Sequence, residues 1–306
     1  MRRRALPVAA LPRETDVHLP DYHTHTARCG HAVGRPVEYV EAARAKGLSA
    51  IGIADHLPLL PEPADAGLSM GMCELTDYVD EVQALKTGFP GYVLLGIEAD
   101  YRAHTISDVG ALLESYPFDY AIGSVHHLGT WGFDDPRQME RYAERDIDDV
   151  WTEYFELVGD AAESGLFTIL GHLDLVKKFG YRPTRTLEKE LSRLVDRIAR
   201  AGVLVEINTA GLHRPIGEAY PTPDILRRLC DAGVGITFGS DAHRPEEVGR
   251  DFAHAAELAQ AAGYEAYGAL DVDRKGGRAH VRPNAFVLPT ADEGRHPGEP
   301  PQGSRA

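Results

Sequence analysis

Short runs rich in β-branched and aliphatic residues recur along the chain, and stretches with apolar residues at helical spacing separate them. Seven such runs are VHLPDYH, SAIGIADH, YVLLGIE, DYAIGSVH, FTILGH, VLVEIN and GITFGSDAH. Apolar runs of this length are typical of buried strands, and their alternation with helices is typical of parallel α/β folds. The pattern therefore predicts a mainly parallel α/β protein with seven strands.

Amphipathic helices are predicted in the gaps between these strands. The first, over 36–47, begins with a proline, carries Val37, Val40 and Ala43 at helical spacing and ends at Gly47. The others are predicted around 75–86, 151–162, 187–201, 223–232 and 246–262. Seven strand-helix units favour a barrel related to the eight-fold β/α type, although an open doubly wound sheet remains possible.

Length and composition favour one large domain. The chain has 306 residues, of which 43% are hydrophobic and 26% charged, enough for one extensive core. We predict a flexible N-terminal tail over 1–16, a barrel domain over 17–270 and a loosely ordered C-terminal tail over 271–306, because the ends are rich in Pro, Gly, Arg and Asp. The basic start has a short apolar run broken by Pro7 and Pro12, so we do not expect a signal peptide.

The charge and the cysteines narrow the class of partner. A formal net charge of −15 repels polyanions, which argues against nucleic acids and anionic membranes and requires local positive charge for any anionic substrate. No segment approaches the ~20 apolar residues of a membrane helix. The chain has three cysteines, Cys29, Cys73 and Cys230, and no CxxC pair. A disulfide framework is therefore not expected, and we expect the protein to be in a reducing cytoplasm. The oligomeric state is left open.

Six of the seven predicted strands end in side chains that can bind metal ions. In parallel barrels these ends converge on one face. Positions i and i+2 of a strand share a face, so the HTH and DAH segments each present two ligands together. The candidate ligands are His23, His25, His31, His56, Glu98, His126, His172, Asp241 and His243. Seven imidazoles and two carboxylates suit Zn, Mn or Fe and exceed the needs of one ion, which predicts two to three divalent ions. Asp21 and Asp55, beside candidate ligands, are expected to act as hydrogen-bond partners.

Other catalytic motifs are missing from the sequence. It contains no GxxxxGK[ST] phosphate loop, no GxSxG elbow and no GxGxxG fingerprint. A nucleotide-dependent kinase, a serine hydrolase and a dinucleotide enzyme therefore have little support. Metal-assisted hydrolysis fits the candidate ligands better.

Over residues 18–265 the chain resembles the PHP family of metal-dependent phosphoesterases, in particular its monofunctional histidinol-phosphatase branch. The resemblance is carried by DYHTHTARCGHA, GIADH, GIEADY, DYAIGSVHH, GHLDLVKKF, EINTAGL and GSDAH. It implies a distorted seven-stranded β/α barrel that holds three ions. One ion would be bound by His23, His25, Glu98 and Asp241; a second by Glu98 as a bridge with His126 and His172; the third by His31, His56 and His243.

The resemblance also implies a reaction and a substrate. The reaction is hydrolysis of L-histidinol phosphate to L-histidinol and phosphate, in which the cations lower the pKa of a bridging water and bind the phosphoryl oxygens. Glu98, Asp241 and His243 are predicted to be catalytic. Lys177, His213, Arg214 and His127 are predicted to bind substrate, although GLHRP places a histidine where the family often has an arginine. The proton donor for the leaving group stays open among metal-bound water, Asp241 and His213.

Two kinds of competing function remain: another enzyme with the same barrel fold, and a protein without catalytic activity. A nuclease or nucleotide phosphatase of the same family, or a metal-dependent amidohydrolase, could use a similar HxH segment. Glu98 stands where an amidohydrolase more often has lysine, and no basic aromatic groove for single strands is visible. A non-catalytic metal-binding barrel module is the alternative from another class, but such modules usually lose ligands.

Overall fold

The computed structural model describes residues 18–59, 67–271 and 280–285. Within them it shows a parallel α/β fold. The helices are α1 (Pro36–Ala45), α2 (Leu75–Gly88), α3 (Ile106–Ser115), α4 (Ile147–Glu163), α5 (Glu188–Ala201), α6 (Pro223–Asp231) and α7 (Phe252–Ala261). The strands are β1 (Pro20–Asp21), β2 (Ala50–Ile53), β3 (Val93–Leu95), β4 (Glu98–Asp100), β5 (Ile122–Ser124), β6 (His127–Leu128), β7 (Trp131–Gly132), β8 (Ile169–Leu170), β9 (Leu204–Asn208), β10 (Ile236–Gly239), β11 (Ala266–Asp271) and β12 (His280–Ala285).

The parallel strands form two sheets that are connected by two isolated bridges. One sheet has the order β1-β2-β3 and the other the order β10-β9-β8-β5-β4, and all pairs in both are parallel. Parallel bridges Thr24–Ala242 and His56–Glu98 connect the sheets just beyond β1 and β2. Both bridges involve residues in or beside the candidate ligand segments. The junctions of the sheets are therefore the places where the ligand-bearing strand ends come together.

All seven predicted strand runs contain strands of this structure. The run YVLLGIE is interrupted, because β3 and β4 are separated at Gly96 and Ile97. This break lets Glu98 leave the register of β3 and pair with β5, where Glu98 is aligned with Ile122. The candidate ligand thus begins a new strand of the larger sheet.

The six predicted helices are confirmed, with one change of boundary. The last begins at Phe252 and not near 246, since Gly249 and Asp251 both have positive φ angles that a helix cannot contain. The structure also contains α3, the β6-β7 hairpin and the β11-β12 pair, which the sequence patterns do not predict.

The predicted tails fall largely on residues that the structure does not describe. The N-terminal tail over 1–16 lies wholly outside the described residues. Of the C-terminal tail over 271–306, the structure describes Asp271 and 280–285. Within this part, β12 pairs with β11 along its whole length through antiparallel hydrogen bonds.

A buried tyrosine fixes the inside of the smaller sheet. The Tyr120 hydroxyl donates a hydrogen bond of 2.5 Å to the Tyr22 carbonyl oxygen at the end of β1. Its ring lies directly against Gly52 and Gly96, where a side chain of any size would overlap it. The two glycines therefore allow β2 and β3 to pack closely on a residue that precedes β5, which holds the strands below the candidate site in place.

None of the helices in the described ranges is long and apolar enough to cross a membrane.

Candidate metal centre

A single buried carboxylate lies at the centre of the candidate ligands. Glu98 is 1% exposed, and Ser124 Oγ donates a hydrogen bond of 2.5 Å to its Oε1. Five imidazoles surround it: Oε2 lies 2.9 Å from His56 Nδ1, 3.3 Å from His23 Nε2 and 3.4 Å from His25 Nε2, and Oε1 lies 3.1 Å from His172 Nε2 and 3.6 Å from His126 Nε2. The two oxygens thus face different sets of nitrogens, which is the arrangement a bridging ligand needs.

The candidate ligands form overlapping groups around Glu98. Asp241 Oδ1 lies 3.2 Å from His25 Nε2 and 3.8 Å from His23 Nε2. Ligand atoms within 4.8 Å of one another occur in the groups His23–His25–Asp241, His23–Glu98–His172 and His31–His56–His243. Two further groups, His25–Cys29–His243 and His25–His56–Glu98, overlap with these three. His126 contacts Glu98 without joining a group of this size. The division of the ligands among three ions therefore stays a prediction.

Several buried atoms of the cluster are left unpaired. Among the described residues, His23 Nε2 and Glu98 Oε2 are inaccessible and make no hydrogen bond. Burial lowers the pKa of His23, but Glu206 and Glu98 outweigh this effect and raise it well above the usual value. Buried polar atoms without partners are costly. Nitrogen and oxygen donors aimed at a common space satisfy the coordination preferences of zinc and similar divalent ions, so the residues fit such a group.

Asp21 and Asp55 hold the backbone of the ligand-bearing loops. Asp55 accepts hydrogen bonds of 2.6 Å from both the backbone N and the Oγ1 of Thr26, next to His25. Asp21 accepts from the Ser240 N and Oγ and from Gly249 N, at 3.0, 2.5 and 2.8 Å. Burial raises the pKa of each to about 6. Both carboxylates therefore act on the loops beside the ligands and not on the imidazoles.

Asp55→Asn is expected to lower kcat/KM by about 10- to 100-fold, as is typical of groups that orient metal ligands. The amide keeps one acceptor oxygen for Thr26 but cannot receive both of its donors. Steady-state kinetics with matched metal loading measures the change. An unaltered kcat/KM would contradict a positioning role for this carboxylate.

An open cavity of about 540 Å³ lies above the cluster. Seven of the nine predicted ligands line it, and His23 and His25 lie fully buried outside its lining. Acidic groups on its described walls are Asp100, Asp134, Asp135 and Glu247. Basic groups on these walls are Arg137, Lys178, Arg214 and Arg244. The cavity can therefore accept a ligand that has an anionic end and a cationic or polar end.

Two of the four predicted substrate-binding residues line this cavity. His127 and Arg214 do so. Lys177 does not, because its amine is buried and contacts the Ala219 carbonyl oxygen at 2.8 Å and Asp174 Oδ2 at 3.0 Å. His213 also points elsewhere, since its Nε2 lies 2.6 Å from Asp251 Oδ2 on the protein surface. The structure instead brings Lys178 to the cavity, where it contacts Asp134.

Sequence reasoning missed two further carboxylates at the site. Asp100 follows Glu98 by two positions on β4, and its Oδ2 lies 2.8 Å from His127 Nδ1. Glu206, inside β9, contacts His23 Nδ1 at 2.7 Å. The i, i+2 spacing after Glu98 was an available signal for Asp100. A carboxylate inside the apolar run VLVEIN was the signal for Glu206, since such a group needs partners when it is buried.

The fold and this donor set define a parallel α/β protein with a candidate multinuclear metal centre at the carboxyl ends of its strands. The chain belongs to the PHP domain family, whose model matches residues 21–210. This confirms the resemblance seen in the sequence.

Curated relatives match most of the chain. A probable histidinol-phosphatase of Deinococcus radiodurans is 44% identical over 242 residues, which cover 78% of this chain and 91% of that protein. The histidinol-phosphatase of Bacillus subtilis is 28% identical and covers 75% of this chain and 95% of its own length.

A solved structure matches in fold as well as in sequence. The histidinol phosphate phosphatase of Lactococcus lactis, complexed with zinc, L-histidinol and phosphate, has a TM-score of 0.69 and 25% identity to this chain. The match covers 86% of this chain and 99% of that one. The similarity therefore extends over nearly the whole of the Lactococcus protein.

Proposed function

We propose that this protein hydrolyses L-histidinol phosphate to L-histidinol and phosphate. The observation that carries the proposal is Glu98, which lies among five imidazoles beside an open cavity with groups of both charges. The curated relatives with this activity in their names support it, since the matches cover at least three quarters of both chains. The zinc, histidinol and phosphate of the Lactococcus structure support the same substrate.

The nine predicted ligands would hold two to three divalent ions. They are His23, His25, His31, His56, Glu98, His126, His172, Asp241 and His243, and zinc is the ion bound in the Lactococcus relative. Bound divalent ions supply an acidified water at neutral pH and stabilise the negative charge that develops on phosphoryl oxygens. In the protein, Glu98 keeps the groups of imidazoles together, and Ser124 fixes the orientation of its carboxylate.

The walls of the cavity would orient the two ends of the substrate. The exposed Arg214 and Arg244 line the cavity together with Lys178, which suits them to bind phosphate. Asp134 holds the Lys178 amine through its carbonyl and carboxylate oxygens at 2.8 and 3.1 Å. The acidic wall offers hydrogen-bond acceptors to the cationic amine and the imidazole of histidinol.

The proposal extends to the architecture and the surroundings of the enzyme. We infer that the two sheets form one distorted seven-stranded barrel in which β3 and β4 count as one strand, and the bridges Thr24–Ala242 and His56–Glu98 support this. Cys29, Cys73 and Cys230 are free thiols, which is consistent with a reducing cytoplasm.

We expect L-histidinol phosphate to have a higher kcat/KM than p-nitrophenyl phosphate, AMP or a short single-stranded DNA. A site that binds the amine and imidazole by hydrogen bonds leaves its own polar groups unpaired with analogues that lack them. Initial rates of phosphate release, measured with the same zinc-loaded preparation, give the comparison.

Three experimental outcomes, two from these rates and one from genetic rescue, distinguish the alternative functions. Faster turnover of AMP or DNA would contradict the substrate and favour a nucleotide phosphatase or nuclease. Failure of the gene to rescue a histidine auxotroph that lacks this phosphatase would also contradict it. No turnover of any ester would favour the non-catalytic metal-binding module.

A further inference from the structure

Glu206 connects two of the candidate ligands from the strand between them. It lies in β9, an inner strand of the larger sheet, and is 1% exposed. Its Oε2 lies 2.7 Å from His23 Nδ1, and its Oε1 accepts a hydrogen bond of 3.1 Å from the backbone N of His172. Asn208 Nδ2 donates a second bond of 2.6 Å to Oε1. One carboxylate oxygen therefore contacts His23, and the other accepts hydrogen bonds from His172 and Asn208.

The contact with His23 determines which ring nitrogen is available. An ionised carboxylate only accepts hydrogen bonds, so Nδ1 carries the proton that points to Glu206. In the neutral ring that binds a metal ion, the lone pair is then on the other nitrogen, Nε2, which faces Glu98 at 3.3 Å and Asp241 at 3.8 Å. A histidine that binds a metal needs this tautomer, and a carboxylate on the opposite nitrogen is a common way to hold it.

The contact with His172 stabilises an unfavourable backbone. His172 has a φ angle of 21°, which residues with side chains rarely adopt. Its N–H points to Glu206 Oε1, and its ring faces Glu98 at 3.1 Å. The hydrogen bond holds the backbone from which the ring reaches the site, and it helps to offset the strain of this conformation.

The neighbouring strand leaves room for this carboxylate. Gly239, at the end of β10, lies so close that a Cβ at this position would overlap Glu206 Oε2 and would come within 2.7 Å of His23 Cβ. The absence of a side chain at 239 therefore permits Glu206 and His23 to meet between the sheets. The contact between Glu206 and His23 is therefore determined by the packing of buried strands and not by mobile surface side chains.

We propose that Glu206 is a positioning residue that selects the Nδ1-protonated tautomer of His23 and holds His172 at the metal centre. The proposal rests on the proposed metal-dependent function. It assigns a role to a residue that no candidate ligand set includes, and it predicts that ion binding, and not only turnover, depends on Glu206.

The test compares Glu206→Gln with Asp119→Asn in the full-length protein. A glutamine has one acceptor oxygen, which cannot receive His23, His172 and Asn208 together, and its NH₂ facing His23 would favour the wrong tautomer. Asp119 is a matched control, because it is 2% exposed and accepts bonds of 2.7 Å from a lysine, Lys86, and from a backbone N, that of Leu95, away from the site. Both changes remove one buried charge.

The measurement is the chelator concentration that removes half of the zinc from each protein, with zinc determined by elemental analysis. We expect Glu206→Gln to lower this concentration by about 10- to 100-fold and Asp119→Asn to leave it unchanged. Excess zinc should recover part of the activity of Glu206→Gln. In nitrogen-15 spectra of the zinc-loaded wild type, His23 should carry its proton on Nδ1.

Each result separates this proposal from the proposed function. A wild-type protein that retains no zinc would overturn both. A wild-type protein that retains zinc, with equal chelator midpoints for wild type and Glu206→Gln, would overturn only the role of Glu206. If Glu206→Gln does not fold, Glu206→Asp is measured in its place. The shorter carboxylate cannot reach both His23 and His172. A chelator midpoint equal to that of the wild type in this variant would also overturn the proposal.

Discussion

Glu98→Gln is expected to lower kcat by at least about 1000-fold, the largest effect of any single change that we propose. A factor of this size corresponds to about 4 kcal/mol of lost transition-state stabilisation. The carboxylate is surrounded by His23, His25, His56, His126 and His172, and burial alone would raise its pKa. The imidazoles of His23 and His56 outweigh burial and hold the pKa of Glu98 well below the usual value, so it is a charged group. An amide removes this charge and places an N–H donor among nitrogens that must bind cations.

Glu114→Gln is the matched control for this experiment. Glu114 is exposed on α3 and lies outside the lining of the cavity. Its kcat should remain within error of the wild-type value, whereas Asp55→Asn should fall between the two variants. Equal, small effects of Glu98→Gln and Glu114→Gln would show that Glu98 has no part in the reaction.

Removal of the divalent ions is expected to abolish activity and to lower the melting temperature. Ions that bind only the folded state stabilise it by about 4 kcal/mol at a free concentration 1000 times Kd. The apoprotein would keep a buried cluster with unpaired atoms, such as His23 Nε2 and Glu98 Oε2. Elemental analysis of protein purified without chelators should give about two to three ions of Zn, Mn or Fe per chain, as multinuclear coordination requires.

Readdition of zinc after chelation provides the control, because it should restore both activity and melting temperature. Magnesium should not do so, since it prefers oxygen ligands and keeps much of its water. One ion or fewer per chain with unimpaired activity would contradict the multinuclear centre.

The strands were predictable because a buried strand leaves a local signal. Each apolar run in the sequence is followed by a polar residue, and every one of the seven contains a strand of the structure. The break between β3 and β4 was not predictable, since Gly96 and Ile97 continue the apolar run and only the pairing of Glu98 with β5 reveals it. The two-residue strands β6 and β7 are too short to leave a periodic pattern.

The convergence of the candidate ligands was easier to predict than the positions of the other residues near them. Side chains at the ends of parallel strands converge wherever the sheet places those ends, so their position follows from the order of strands and helices. The direction of a side chain on a short turn does not follow from the order of strands and helices. Lys177 and Lys178 are neighbours on such a turn, and only the folded structure shows that Lys177 is buried against Asp174 while Lys178 lines the cavity. The role of Glu206 depends on its contact with His23, which follows β1 and is far away in the chain.

The join between β1 and β10 also bears on how the protein matures. Tyr22 N–H donates to the Phe238 carbonyl oxygen, and His25 N–H donates to that of Ala242, so the first and last ligand-bearing strands are neighbours in space. During synthesis, His23 and His25 leave the ribosome long before Asp241 and His243 exist. Contacts between such distant segments form late, because the entropy of closing the intervening chain must be overcome first. All nine candidate ligands can therefore come together only after almost the entire polypeptide has been synthesised.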